Sequence, residues 1–292
     1  MVRLQGELIA PRALEWLASA SNPRIHSLYR QSVNLIDPRQ DLLSIVLPDL
    51  GAGPFAVVAS PGERSFKGFD TLNPENQVII RGYSIKLGHI HIDWEGAENW
   101  QPRPNWLQFG EELNETRISQ LMILLQQFAP QNSFAPLADD SLPEPDQTFQ
   151  SKAMHAAAGP AKQLQASLGD GNLGGVEWAV ERLAGLGGGV TPSGDDYLQG
   201  AIHALWSRVD KEQAWSISRV IVGAAVPRTN AISGAWLKAA ARGEAGSDWH
   251  LLVEALTVNR GLDEVVIQLI LRGHTSGADA LAGFLSTLPA LR

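Results

Sequence analysis

The sequence has no cysteine among its 292 residues. That excludes disulfides, a thiolate nucleophile and any zinc or iron–sulfur site with cysteine ligands. Long apolar runs are missing too. Stretches such as Leu121 to Leu125 fall far short of the roughly 20 residues a membrane helix needs, so no membrane partner is expected. Lysine and arginine nowhere form the basic stripe of a nucleic-acid binder, which removes nucleic acid from the expected partners. Met1 to Glu7 carries an acid where an export signal would begin its apolar core, so a cytoplasmic location is expected.

What is present is an ordinary globular balance, 44% hydrophobic and 18% charged, long enough for two domains. The net charge of −8 is unevenly placed. Residues 1–105 carry 10 basic and 11 acidic side chains and residues 152–292 carry 12 and 13, whereas residues 106–151 carry 1 and 7. Three segments follow. Residues 1–105 read as β-rich after a short helical start at Ala13 to Leu17, with strands expected at 32–36, 42–46, 55–59, 77–81, 84–87 and 89–94. Asp37-Pro38-Arg39-Gln40 has the composition of a hairpin turn, and Gly88, where the buried parity shifts, reads as a β-bulge. Residues 106–151 read as a helix over 113–128 and an acidic, proline-containing linker. Residues 152–292 read as about eight helices. The fold class is therefore α+β: a small antiparallel β barrel or sandwich, then an all-helical domain.

Nineteen of the 28 glycines lie in the helical segment, where each costs roughly 1 kcal/mol inside a helix. They cluster at Gly185 to Gly200. Gly187, Gly188 and Gly189 form a flexible run, Thr191 or Ser193 offers an N-cap, and Gly194, Asp195 and Asp196 open the next helix. Backbone N–H groups at such a helix start bind phosphate or carboxylate, so a small anion is the expected ligand. Gly189 to Gly194 has Walker spacing, but Asp195-Asp196 stands where Lys-Ser/Thr is required. A dinucleotide fingerprint needs a preceding strand, and Ser193 lacks the nucleophile-elbow pattern. No cofactor is implied.

The pattern S-G-x-D-x-L-x-G recurs 83 residues later, from Ser193 to Gly200 and from Ser276 to Gly283. Two helix starts, brought together across a pseudo-twofold, are the reading that makes use of it. His274 and Thr275 precede the second copy, and Asp279 occupies the place of Asp196. Arg228, Thr229 and Asn230 form a third polar helix start, with Arg228 suited to bidentate contact with an anion. Asp195, Asp196 and Asp279 also have the oxygen chemistry of a Mg²⁺ site, and His89, His91 and Asp93 share a strand face. Acids favoured by a helix dipole and a solvated strand face are the plainer readings, and no metal site is assigned.

At these motifs the chain resembles a bacterial family associated with the AllH subunit of oxamate carbamoyltransferase. The residues that carry the resemblance are Gly187 to Gly200, Arg228-Thr229-Asn230 with Ser233, and Gly273 to Gly277 with Asp279, Leu281 and Gly283. Weaker matches run through Ser32 to Leu35, Leu43 to Val46, Gly51 to Pro54 and Leu87-Gly88. The resemblance implies a subunit of a hetero-oligomeric enzyme of allantoin breakdown. That enzyme converts oxalurate and phosphate to oxamate and carbamoyl phosphate. It assigns no catalytic residue. A non-catalytic scaffold in the same complex and a metal-assisted helical hydrolase remain as alternatives.

Overall fold

Arg3, Gln5 and Glu7 alternate with Leu4 and Gly6, and this period of two makes the first element a strand, β1 (Val2–Ile9), with Leu4, Gly6 and Ile9 buried. The helical turn expected at the start is α1 (Pro11–Ser19), and it follows this strand. In the computed structural model, residues 2–62, 66–258 and 260–291 are described. They fall into two units, Met1–Pro102 with Ala245–Ser247, and Arg103–Glu244 with Asp248–Arg292.

The first unit adds β2 (Arg24–Leu28), β3 (Ser32–Ile36), β4 (Leu42–Val46), β5 (Ala56–Pro61), β6 (Val78–Arg81), β7 (Ser84–Leu87), β8 (Ile90–Asp93) and β9 (Glu98–Asn99). They form one nearly closed, barrel-like sheet in the order β2-β3-β4-β5-β1-β8-β7-β6, with β9 beside β1. The β3–β4 hairpin turns over Asp37 to Gln40, as composition suggests. The sheet is mixed: β1 runs parallel to β8 and β9, and β4 parallel to β5. Gly88 is no bulge. Leu87 pairs with Ile90 and Ile85 with Ile92, so Gly88 and His89 are the two-residue turn between β7 and β8, with Gly88 at φ +54°. Paired positions across such a turn sum to an odd number, which produces the parity shift seen in the sequence. Val33, Leu35, Leu43, Ile45, Val57, Ile90 and Ile92 bury one face of the sheet, and Trp16 of α1 packs into the same core.

The second unit is helical: α2 (Trp106–Glu112), α3 (Glu115–Phe128), α4 (Phe149–Gly169), α5 (Leu173–Leu183), α6 (Ser193–Arg208), α7 (Lys211–Ala225), α8 (Ala231–Ala241), α9 (Ser247–Val258), α10 (Leu262–Ile270) and α11 (Ser276–Thr287). None of the described helices is long and apolar enough to cross a membrane. Part of the segment that composition marks as a linker is packed inside, for Ser133 and Phe134 are fully buried. Trp106, Phe109, His203, Trp249 and Phe284 form a continuous aromatic cluster in this core.

At the centre, α6 and α11 are buried almost throughout. Gly200 lies against α11 and Gly283 against α6. A Cβ at Gly200 would stand 1.7 Å from the Ala280 carbonyl oxygen, and one at Gly283 would stand 1.9 Å from that of Tyr197. Either methyl group must push two backbones apart. Gly200→Ala and Gly283→Ala are therefore expected to lower stability by about 3 kcal/mol or more. Gly223→Ala, on an exposed position of α7 with open space around it, should raise stability by up to about 1 kcal/mol. Thermal or denaturant unfolding of the three variants checks the difference in sign.

Candidate functional site

The two copies of the repeated motif start α6 and α11, and they meet. Thr191 Oγ1 donates to Asp196 Oδ2 at 2.9 Å and lies 2.9 Å from Ser276 Oγ, so one hydroxyl joins both helix starts. Equivalent glycines set the approach of the preceding helices. A Cβ on Gly194 would fall 1.9 Å from the Leu183 carbonyl oxygen, and one on Gly277 would fall 1.7 Å from that of Leu269. Each half is thus a helix that ends under the first turn of the next, α5 under α6 and α10 under α11.

Neither helix has a side-chain cap. Most others do, through Asn105, Asn114, Thr148, Asn172, Asp210 and Asn230. At α6 the cap position is Pro192, Ser193 is already helical, and the Thr191 hydroxyl serves Asp196 and Ser276 instead. The cap expected from Thr191 or Ser193 does not form. Ser193 Oγ accepts from Gln150 Nε2 at 2.9 Å, and Gln150 Oε1 accepts from Gly188 N–H at 3.3 Å. Gln150 therefore ties α4 to the glycine loop, a role no motif in the sequence indicates. Gly187 and Gly189, at φ +103° and +106°, carry the loop through left-handed backbone.

The acids differ in what they face. Asp195 Oδ1 accepts from Gly185 N–H at 2.8 Å, and its Oδ2 accepts from the Thr229 hydroxyl. Asn230 caps α8 and donates to the Val190 carbonyl at 2.9 Å. Asp195, Thr229 and Asn230 consequently anchor the loop to the start of α8. Asp196 turns the other way, toward α11. Asp279 is fully buried; its Oδ1 accepts from Phe134 N–H, and its Oδ2 has no hydrogen-bond partner. Adjacent residues on a helix point about 100° apart, and the three carboxylates do not converge. Among the described residues no three His, Asp or Glu side chains are grouped as a metal ion requires. On the strand face, Asp93 accepts from Glu95 N–H and His89 lies beside Thr71.

Burial sets the charge state of these acids. Desolvation raises Asp195 despite its bonds from Thr229 and Gly185. Asp196 is raised well above its ordinary range by burial and then by the nearby Asp279 carboxylate, against the opposing hydroxyls of Ser276 and Thr191. Asp279 is pushed up to about 7 by burial, against its bond from Phe134 and the weaker influence of Ser193 and Thr275. The two copies exchange serines, since the serine of each motif faces the acid of the other. The surroundings therefore penalise the ionised form of all three carboxyls.

Arg228 is placed at the margin. Its guanidinium pairs with Glu181 at 2.5 Å and donates to the Ala224 carbonyl at 2.9 Å. Gly188, Gly189, Val190, Gly273 and His274 are exposed, Thr275 and Ser276 are half-buried, and His274 holds left-handed backbone at φ +71°. The exposed part of the site is therefore two facing loops over a buried layer of acids and hydroxyls.

Native Asp279 binds its proton more tightly than the unfolded chain does, so its contribution to stability is full at acid pH and is lost as pH rises toward about 7. Thermal midpoints should fall across this interval. Asp279→Asn, which keeps an acceptor for Phe134 N–H and does not ionise, should flatten the fall, and a slope equal to wild type would remove Asp279 as its source.

Two family models match the chain: oxamate carbamoyltransferase subunit AllH over residues 183–288, and the AllH family N-terminal domain over residues 5–99. The first spans both helix starts from the end of α5 to the end of α11, and the second spans the barrel-like sheet. No solved structure matches the chain. With its sheet and its paired helix starts each matched by a model of the same family, the chain belongs to the AllH family of oxamate carbamoyltransferase subunits.

Proposed function

We propose that this chain contributes an anion-binding surface to a carbamoyl-transferring enzyme. In the reaction, oxalurate and phosphate give oxamate and carbamoyl phosphate, as a step of allantoin breakdown. The phosphate oxygen attacks the carbamoyl carbon, the bond from that carbon to nitrogen breaks, and the departing nitrogen takes a proton to become the oxamate amide. All four species are small anions, and their common requirement is a set of N–H and O–H donors. One observation carries the reading: the Thr191 hydroxyl joins the starts of α6 and α11, so two positive helix ends face one surface.

The buried acids do not defeat anion binding. Burial opposes ionisation of Asp196 and Asp279, so the repulsion they exert on an anion held by the exposed loops above them is smaller than that of two carboxylates. Gly187 to Thr191 and His274 to Ser276 supply the surface, and Ser193, Gly194, Asp196 and Asp279 support it from beneath. Thr229 and Asn230 hold the loop in place. Arg228 reaches an anion only by leaving Glu181.

A scaffold role within the same complex has one observation in its favour: Gly194, Gly200, Gly277 and Gly283 are all used in helix packing. Calorimetric titration of the full chain with phosphate, oxamate and carbamoyl phosphate separates the readings. Anion binding that weakens roughly tenfold in Thr191→Val and Ser276→Ala, and less in Arg228→Ala, is the expected result. Absence of heat with every anion, both alone and with the other subunits present, favours the scaffold.

A further inference from the structure

The acidic excess of residues 106–151 has no part in the anion site. One of its acids, Glu115, lines a groove where α3 packs beside α10. Glu115, Ser119, Ile123 and Gln127 follow at four-residue steps, forming one row along α3. This row, with Leu124 and with Asp263 of α10, borders a groove of about 670 Å³. Ile123 is 59% exposed there, an aliphatic side chain in water. No lysine or arginine lines the groove, and neither Glu115 nor Asp263 has a cation partner among the described residues. Asp263 accepts a hydrogen bond from Gln120 Nε2 at 2.7 Å, which clamps the two helices together. Glu111 and Glu112 at the end of α2 and Glu264 of α10 are exposed as well.

We propose that the α3–α10 groove is the docking surface for another subunit of the same enzyme, which lays a basic amphipathic helix into it. An apolar side chain of that helix covers Ile123, and lysine or arginine faces Glu115 and Asp263. Charge selects this occupant. A second copy of this chain meeting the same face about a twofold axis would bring one groove with two carboxylates and no cation against another, like charge against like. The inference rests on membership of a subunit family and is independent of the anion reading.

The groove is also well placed to affect the site. α3 runs on through residues 129–134 to Phe134, whose N–H holds Asp279, and α10 runs directly into the 271–275 loop that starts α11. A partner that braces α3 against α10 thereby braces both supports of the α11 start.

The test measures binding of the full-length chain to the separately purified partner subunits, by interferometry at low and high salt. Glu115→Lys combined with Asp263→Lys should weaken association by about tenfold or more, and Ile123→Asp should do the same. The wild-type Kd should rise with salt. Ser119→Arg fills the groove while leaving both carboxylates in place, so it serves if a charge-reversed chain fails to fold, as judged by its circular dichroism and thermal midpoint. Wild-type affinity in variants that fold, a Kd indifferent to salt, or a cross-link from position 123 to a second copy of this chain each overturns the proposal. Anion titration of the same variants alone should be unchanged, so loss of docking and loss of the anion site register separately.

Discussion

Two helices that touch backbone to backbone set the arrangement of the helical unit. α6 and α11 approach so closely at Gly200 and Gly283 that a single methyl group on either would collide with a carbonyl of the other. Contact at that distance fixes the helices in register. The register then brings their first turns together, placing Asp196 beside Asp279 and Thr191 within reach of Ser276. Gly194 and Gly277 repeat the device one layer out, letting α5 and α10 end against the same two helices. Part of the glycine excess in this half of the chain is consequently the mark of a packed centre, while Gly187 to Gly189 and others such as Gly171, Gly243 and Gly273 lie in loops and turns.

Electrostatics at this centre is a contest with a clear outcome. Helix N-termini stabilise nearby carboxylates by about 0.3–1 kcal/mol at exposed positions and by up to about 2 kcal/mol in favourable buried geometry. Hydroxyls from Thr191, Ser276, Ser193 and Thr275 act in the same direction. Burial acts against them and dominates, because it removes water from groups that have few other partners. A carboxyl whose ionised form is penalised compensates the positive end of a helix less than an exposed carboxylate would. A count of acids in the sequence therefore overstates the negative charge these buried positions carry.

The alternating strands and the helical half were legible because burial follows period: polar residues skip every second position in β1 and β8, and apolar residues recur at helical spacing from α4 onward. The repeated S-G-x-D-x-L-x-G motif pointed to two helix starts brought together, and Thr191 and Ser276 meet there. Other features were not legible. The shift of parity at Gly88 suits a bulge and a tight turn equally, and only the pairing of Leu87 with Ile90 distinguishes them. Arg228 has the chemistry of an anion ligand, yet its partner Glu181 lies a helix away in sequence. Gln150 and Phe134 reach the site from segments that share no motif with it.

By itself the sequence determined the class of fold, the absence of thiol chemistry, the helical half with its paired motif, and the resemblance that the family models bear out. Those depend on residue type and on spacing along the chain. Tertiary structure alone decided which parallel neighbours complete the sheet, which acid faces which helix, that Asp279 keeps an unpartnered oxygen, and that Arg228 is already engaged. Each of these depends on residues far apart in the chain, and on how much water packing removes from between them.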